Sequence, residues 1–273
     1  MTTSGSTAIV VGIDGSKSAV KAALWAADEA VSRDIPLRLI HVVAPHQHDH
    51  DRANEYGHRV LRAAADELSG TGQQVKVEID VLHGDPVDVL AEASRSAEMV
   101  CVGWKGRHDS GSAGRGATAA RLAVAAHCSV AIVRRRRIHH AVGPHRWVVA
   151  VLGTEARPHG VLNRAVEEAL LRRAEILALS PWGAETAQTE AIRAEFIAQL
   201  DDRDSAADIT LCVLPRPDDI ADLLAQSADI DQLVIASADD GDVVDQLRSA
   251  GVRDTLRGTN CSVLIVHLDR KDS

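Results

Sequence analysis

Ile9-Val-Val-Gly-Ile-Asp-Gly-Ser16 returns later in the chain as Trp147-Val-Val-Ala-Val-Leu-Gly-Thr154, and Cys128-Ser-Val-Ala-Ile-Val133 returns as Cys261-Ser-Val-Leu-Ile-Val266. Between these pairs lie two more. Ala26-Ala-Asp-Glu-Ala-Val-Ser-Arg33 matches Ala165-Val-Glu-Glu-Ala-Leu-Leu-Arg172, and Asp88-Val-Leu-Ala-Glu-Ala-Ser94 matches Asp219-Ile-Ala-Asp-Leu-Leu-Ala225. Matches that keep their order along a chain are the mark of a duplicated unit. The 273 residues therefore divide into two domains, expected at 1–133 and 147–273 with a connector at 134–146.

Within each copy, short β-branched runs alternate with longer Ala/Leu-rich segments of helical period, the pattern of βαβ units with a parallel sheet. The first copy reads as strand 8–13, helix 17–33, strand 36–43, helix 51–69, strand 75–82, helix 86–96, strand 98–103, helix 117–126 and strand 129–134. Ser16 suits an N-cap, and Asp85-Pro86 suits a helix start because proline fits the first helical turn. The strands are nearly all apolar, as expected where helices cover both faces.

Composition removes several function classes. The six aromatics (four Trp, one Tyr, one Phe) are too few and scattered for a base-stacking platform, and a net charge of −9 disfavours phosphate-backbone binding, so no nucleic-acid partner is expected. The four cysteines form no CxxC pair; each sits in or beside an apolar run and reads as a buried thiol. No basic segment followed by an apolar one opens the chain and no run approaches the ~18 apolar residues of a membrane span, so no membrane association and a cytoplasmic location are expected. Charge is uneven: residues 1–133 carry −3 and residues 138–273 carry −10, with Arg134–Arg137 between them. That basic run reads as a solvated connector, or as an anchor for acidic surface.

Gly103-Trp-Lys-Gly106-Arg-His-Asp-Ser-Gly111-Ser-Ala-Gly114-Arg-Gly116-Ala117-Thr118 follows an apolar strand and precedes a helix. Glycines let backbone N–H groups approach an anion, the helix start adds its positive dipole end, and Lys105, Arg107 and Arg115 add cations, so phosphate is a natural guest. The glycine spacing is neither a Walker loop nor the dinucleotide fingerprint, and the same residues also fit a surface loop of small side chains. Asp14 ends the first strand. Ligands of open parallel sheets sit beyond the carboxyl ends of the strands where chain order reverses, so if strands one and four flank that point, Asp14 and Gly103 share one crevice. Asp14 can then accept from an adenine amine or ribose hydroxyls; its other reading is a helix cap. His46-Gln-His-Asp-His50-Asp51 could hold a divalent cation but has nothing to fix a metal's geometry, and His108-Asp109-Ser110 lists triad members without triad geometry.

These residues resemble a tandem universal stress protein. ATP-binding members of that family carry a Val-Asp-Gly-Ser type turn after strand one. After strand four they carry Gly, two residues, Gly, nine residues, Gly, then Ser or Thr; Gly103, Gly106 and Gly116 keep that spacing. Ala126-His-Cys-Ser-Val130 is similar to the family's His-Cys-Pro-Val lead-in to strand five. The resemblance implies an α/β fold of two tandem Rossmann-like domains of the adenine nucleotide alpha hydrolase type, each a five-stranded parallel sheet with helices on both faces. It implies ATP as ligand, with magnesium as an optional companion. Asp14 and Val42 would line the adenosine pocket, Val102, Gly103 and Gly106 the sugar and first phosphates, and Gly116, Ala117 and Thr118 the outer phosphates, with Lys105 the cationic donor already read from the loop. Ala117 departs from the Ser/Thr pattern, and one lost neutral hydrogen bond of ~0.5–1.5 kcal/mol weakens binding about tenfold at most.

The second copy has Leu152 where Asp14 is expected, and acidic Asp239, Asp240 and Asp242 where the glycine loop would begin, so no nucleotide is expected there. The family also implies pairing of strand five between the copies, through 129–134 and 262–267, with a homodimer and an unidentified protein partner as further assembly. No catalytic residue is visible, and at most weak ATP hydrolysis is expected. The function implied is a stress-response regulator acting through nucleotide-dependent interactions; the alternatives are a slow ATPase, or an interaction module that no longer binds nucleotide.

Overall fold

The computed structural model describes residues 7–45, 49–106, 117–134, 146–153, 159–182, 186–202, 209–226, 230–248 and 260–267. Its packing divides the chain into Met1–Arg135 and Arg136–Ser273, here units 1 and 2.

Unit 1 runs β1 (Ala8–Gly12), α1 (Lys17–Arg33), β2 (Leu37–Val43), α2 (His50–Ser69), β3 (Val77–His83), α3 (Pro86–Ala93), a 3-10 turn (Ser94–Ser96), β4 (Ala97–Gly103), α4 (Ala117–Ala125) and β5 (Ser129–Val133). The strands pair in parallel in the order β3-β2-β1-β4-β5. β1 is central, and Ile9, Val10 and Val11 are fully enclosed. α1 buries Ala19, Ala22, Ala23, Ala26 and Ala30, an alanine stripe at helical spacing that lets the helix lie close to the sheet. α1 packs with α2, and α3 with α4. Right-handed crossovers from this strand order put the two pairs on opposite faces. The helix expected over 86–96 ends at Ala93. The edge strand β3 starts at Val77 and alternates apolar with polar residues, so it departs from the nearly all-apolar expectation.

Local chemistry sets the helix starts. Ser16 Oγ accepts from Ala19 N–H at 3.1 Å, and Asp85 Oδ1 from Val87 N–H at 2.9 Å with Pro86 in the first turn. Glu29, 0% exposed, pairs with Arg33 at 3.3 Å one helical turn on.

Unit 2 runs β6 (Arg146–Val151), α5 (His159–Arg172), β7 (Glu175–Ser180), α6 (Ala187–Asp202), β8 (Leu211–Pro215), α7 (Ile220–Gln226), β9 (Asp231–Ser237), α8 (Gly241–Arg248) and β10 (Asn260–Val266). Its strands are parallel in the order β10-β9-β6-β7-β8, the same plan. The buried carboxylate is repeated too: Glu168 pairs with Arg164 at 2.7 Å and with Arg172.

The ladders correct two alignments. Ile13 N–H donates to the Ile40 carbonyl at 2.8 Å and Leu152 N–H to the Leu179 carbonyl at 3.0 Å, so the two strands match in hydrogen-bond phase when Val149 answers to Val10. Leu152 therefore takes the place of Ile13, both buried (0% and 2% exposed), and Gly153 takes that of Asp14. Likewise Asp219 accepts from Asp222 N–H as the α7 cap, so it answers to Asp85 and not to Asp88. Cys212 is exposed on edge strand β8, contrary to the expectation of four buried thiols; Cys101, Cys128 and Cys261 are buried. Among the described residues no helix is long and apolar enough to cross a membrane.

Candidate functional site

In unit 1 the chain leaves β1 toward β2 on one side, while β4 and β5 lie on the other, so order reverses between β1 and β4. The crevice expected of this topology opens at the carboxyl ends of those two strands.

The β1 end is an ordered turn. Asp14, half-buried, accepts Ser16 N–H on Oδ1 at 2.9 Å, so its carboxylate braces the turn while Ser16 caps α1. Gly15 has φ +84°, and a Cβ there would collide with the Tyr56 hydroxyl and lie 2.9 Å from Val60. Tyr56, from α2, donates its hydroxyl to the Asp14 carbonyl at 3.2 Å. Beside it, His41 Nδ1 lies 2.6 Å from the Ile13 carbonyl. A carbonyl only accepts, so Nδ1 carries the hydrogen. The Tyr56 and His41 rings meet edge to face at 5.6 Å, and the Arg59 guanidinium stands 5.2 Å over the Tyr56 ring. His41 and Tyr56 were not anticipated from the sequence; the one signal is a lone imidazole in the apolar run Leu37-Arg-Leu-Ile-His-Val-Val43.

The β4 end is packed against the start of α1. A Cβ at Gly103 would lie 2.6 Å from the Ser18 carbonyl carbon, 2.7 Å from Ser18 Oγ and 2.8 Å from Ala19 N. Ser18 Oγ accepts from Lys105 N–H at 3.3 Å, tying the beginning of the glycine loop to α1. Trp104 N–H donates to the Val133 carbonyl at 3.1 Å, and the Arg134 guanidinium lies 4.9 Å over the indole, so the first arginine of the basic run stacks on the loop.

Among the nucleotide contacts read from the sequence, Asp14, Gly103, Lys105 and Gly106 gather at these two strand ends, Val42 is half-buried at the end of β2, and Val102 is buried at the end of β4. Lys105 is exposed. Ala117 opens α4 and Thr118 is exposed in its first turn. Gly116, Arg107, Arg115 and His108-Asp109-Ser110 lie outside the described residues, as do His46 and His48 of the histidine-rich stretch. Asp49 of that stretch caps α2, accepting Arg52 N–H at 3.0 Å. Among the described residues no cluster of three metal-ligating side chains occurs.

Unit 2 differs where it matters. Ser237 answers to Gly103 and Asp240 to Gly106, and the β9–α8 connection is Ala238–Asp240 where unit 1 spends residues 104–116. Asp240 caps α8, accepting Val243 N–H at 3.3 Å.

The sequence profile of the "Universal stress protein family" matches residues 6–134. The universal stress protein Rv2624c of Mycobacterium tuberculosis is 36% identical over 262 residues, covering 94% of this chain and 95% of that protein. A universal stress protein from Archaeoglobus fulgidus has the same fold, with a TM-score of 0.66 over 95% of this chain and 98% of its own at 15% identity. A universal stress protein solved in complex with cAMP is 28% identical over 48% of this chain and 98% of its own, with a TM-score of 0.39. With identity of this level across nearly its whole length, the chain belongs to the universal stress protein family.

Proposed function

We propose that unit 1 binds ATP at the β1–β4 reversal and that the protein acts as a stress-response regulator through nucleotide-dependent interactions. The observation that carries the reading is the convergence there of an ordered acidic turn and the start of a glycine-rich loop, each held against the first turn of α1. Asp14 accepts from the adenine amine or ribose hydroxyls, and Val42 and Val102 give the aliphatic walls that a chain poor in aromatics must use. Gly103, Lys105 and Gly106 meet the sugar and first phosphates, and Gly116, Ala117 and Thr118 the outer ones, at the α4 N-terminus where backbone N–H groups favour an anion. The reading is of a nucleotide that is held to set partner binding, with slow hydrolysis as the enzymatic alternative. Residues 1–133 form the binding domain and 147–273 the degenerate one. Cytoplasmic residence accords with the need for ATP.

The test is release. Freshly purified protein is denatured and the supernatant chromatographed for adenine nucleotide. Near-stoichiometric ATP is expected, and its loss in Asp14→Ala. An empty protein that also fails to take up millimolar ATP would defeat the reading.

A further inference from the structure

We propose that Arg216 is the built-in occupant of the unit 2 crevice. Its bond to Asp240 keeps this copy closed without ligand, so each chain carries a single nucleotide site. The one-site half rests on the nucleotide reading above; the closure does not.

Arg216 follows the last residue of edge strand β8, and its N–H donates to the Ser180 carbonyl at the end of β7 at 2.7 Å. From there the side chain crosses to the centre of the sheet. One nitrogen, Nη1, donates both to the Leu152 carbonyl at the end of β6 (3.3 Å) and to Asp240 Oδ2 just beyond β9 (3.1 Å). β6 and β9 are the strands between which chain order reverses in unit 2. A single cationic nitrogen therefore touches both banks of the crevice where unit 1 is read to take its nucleoside.

Neither partner has a charged counterpart in unit 1. The ladders β2–β3 and β7–β8 set Leu82 in the place of Arg216, and Gly106 stands in that of Asp240. The carbonyl that answers to Leu152 is that of Ile13, and it is satisfied from the neighbouring strand by His41. Asp240 is anchored twice, with Oδ1 on Val243 N–H and Oδ2 on the guanidinium, so the pair ties the first turn of α8 to the ends of β6, β7 and β8. The side chains are 23% and 17% exposed, which shields the pair from much of the solvent screening that weakens surface ion pairs. The acidic residues read from the sequence as repelling a triphosphate thus include one whose charge is spent internally.

Equilibrium dialysis of ATP against the full chain and hydrogen exchange of the Ala238–Val244 segment test this together. One nucleotide per chain is expected, and none in Asp14→Ala. Arg216→Gln, with Asp240→Asn as the milder variant that keeps the α8 cap, should speed exchange of the Val243 and Val244 amides about tenfold, the loss of one charge-assisted bond. Unit 1 exchange and ATP affinity should stay within twofold. Two nucleotides per chain, or one persisting in Asp14→Ala, would overturn the single-site claim. Unchanged exchange in both variants would overturn the closure. A parent chain that takes up no nucleotide defeats the nucleotide reading, while the exchange result still decides for or against Arg216.

Discussion

Gly103→Ala is the sharpest perturbation of the candidate site. The added carbon would fall 2.6–2.8 Å from three atoms, two of them backbone atoms of Ser18 and Ala19 in the first turn of α1. Backbone cannot rotate away as a flexible side chain can, so β4 and α1 must separate by roughly half an ångström or more, and overpacking of this kind costs about 1–3 kcal/mol. The upper part of that range applies because the displaced turn carries the Ser16–Ala19 cap. A loss of about 2–3 kcal/mol lowers the unit 1 Tm by about 6–15 °C. The same shift moves Ser18 Oγ, the acceptor for Lys105 N–H, and with it the start of the glycine loop. ATP affinity should then fall tenfold or more, since a misplaced donor loses about 1.4 kcal/mol per decade of Kd. Urea unfolding and ATP titration of parent and variant measure both effects. Ser237→Gly at the matching position of unit 2 is the control, expected to leave ATP affinity unaltered. A Gly103→Ala protein within about 0.5 kcal/mol of the parent and equal in affinity would refute the packing argument.

Tyr56→Phe deletes the hydroxyl bonded to the Asp14 carbonyl; unit 1 should lose about 0.5–1.5 kcal/mol in urea unfolding and bind ATP two- to tenfold more weakly, and an unaltered Kd would contradict the positioning role. Among the cysteines, a thiol reagent on native protein at pH 8 should modify Cys212 and spare Cys128, whose burial, aided by the Glu98 charge, pushes its pKa from 9.0 up to about 12. Because the raised pKa belongs to the folded state, its contribution to stability is complete below pH 9 and is lost between pH 9 and 12, and Cys128→Ala should flatten part of that alkaline loss in unfolding curves. Arg134→Gln removes the cation over the Trp104 indole and should cost about 0.5–1 kcal/mol while changing the emission lost in Trp104→Phe; identical emission would show that the pair does not persist in solution.

The duplicated plan was legible because it rests on local chemistry: β-branched runs, alanine-striped helices, and caps such as Ser16 and Asp85 all lie within a few residues of what they specify. The chain-order rule placed a ligand at the reversal, and the condition on which the shared crevice rested, β1 beside β4, is met by their ladder. What escaped depends on contacts distant in sequence. His41 reaches a carbonyl 28 residues away, and Tyr56 one 42 residues away. Arg216 meets Asp240 24 residues on, and nothing in Pro215-Arg216-Pro217 announces that the side chain turns inward. The displacement of Leu152 by one position was hidden because Ile13-Asp14-Gly15 and Val151-Leu152-Gly153 both carry a glycine shortly after a strand, and the phase of the strand hydrogen bonds decides between them. Cys212 was misjudged because an apolar run does not show whether its strand lies inside a sheet or at its edge.

A crystal structure of the full chain grown with millimolar ATP tests the central claim most directly. The account predicts one nucleotide per chain, its adenosine against Asp14, Val42 and Val102 and its phosphates beyond Gly103 and Gly106, with Arg216 still bonded to Asp240 in unit 2. Nucleotide bound elsewhere, or crevices empty in both units, would contradict it.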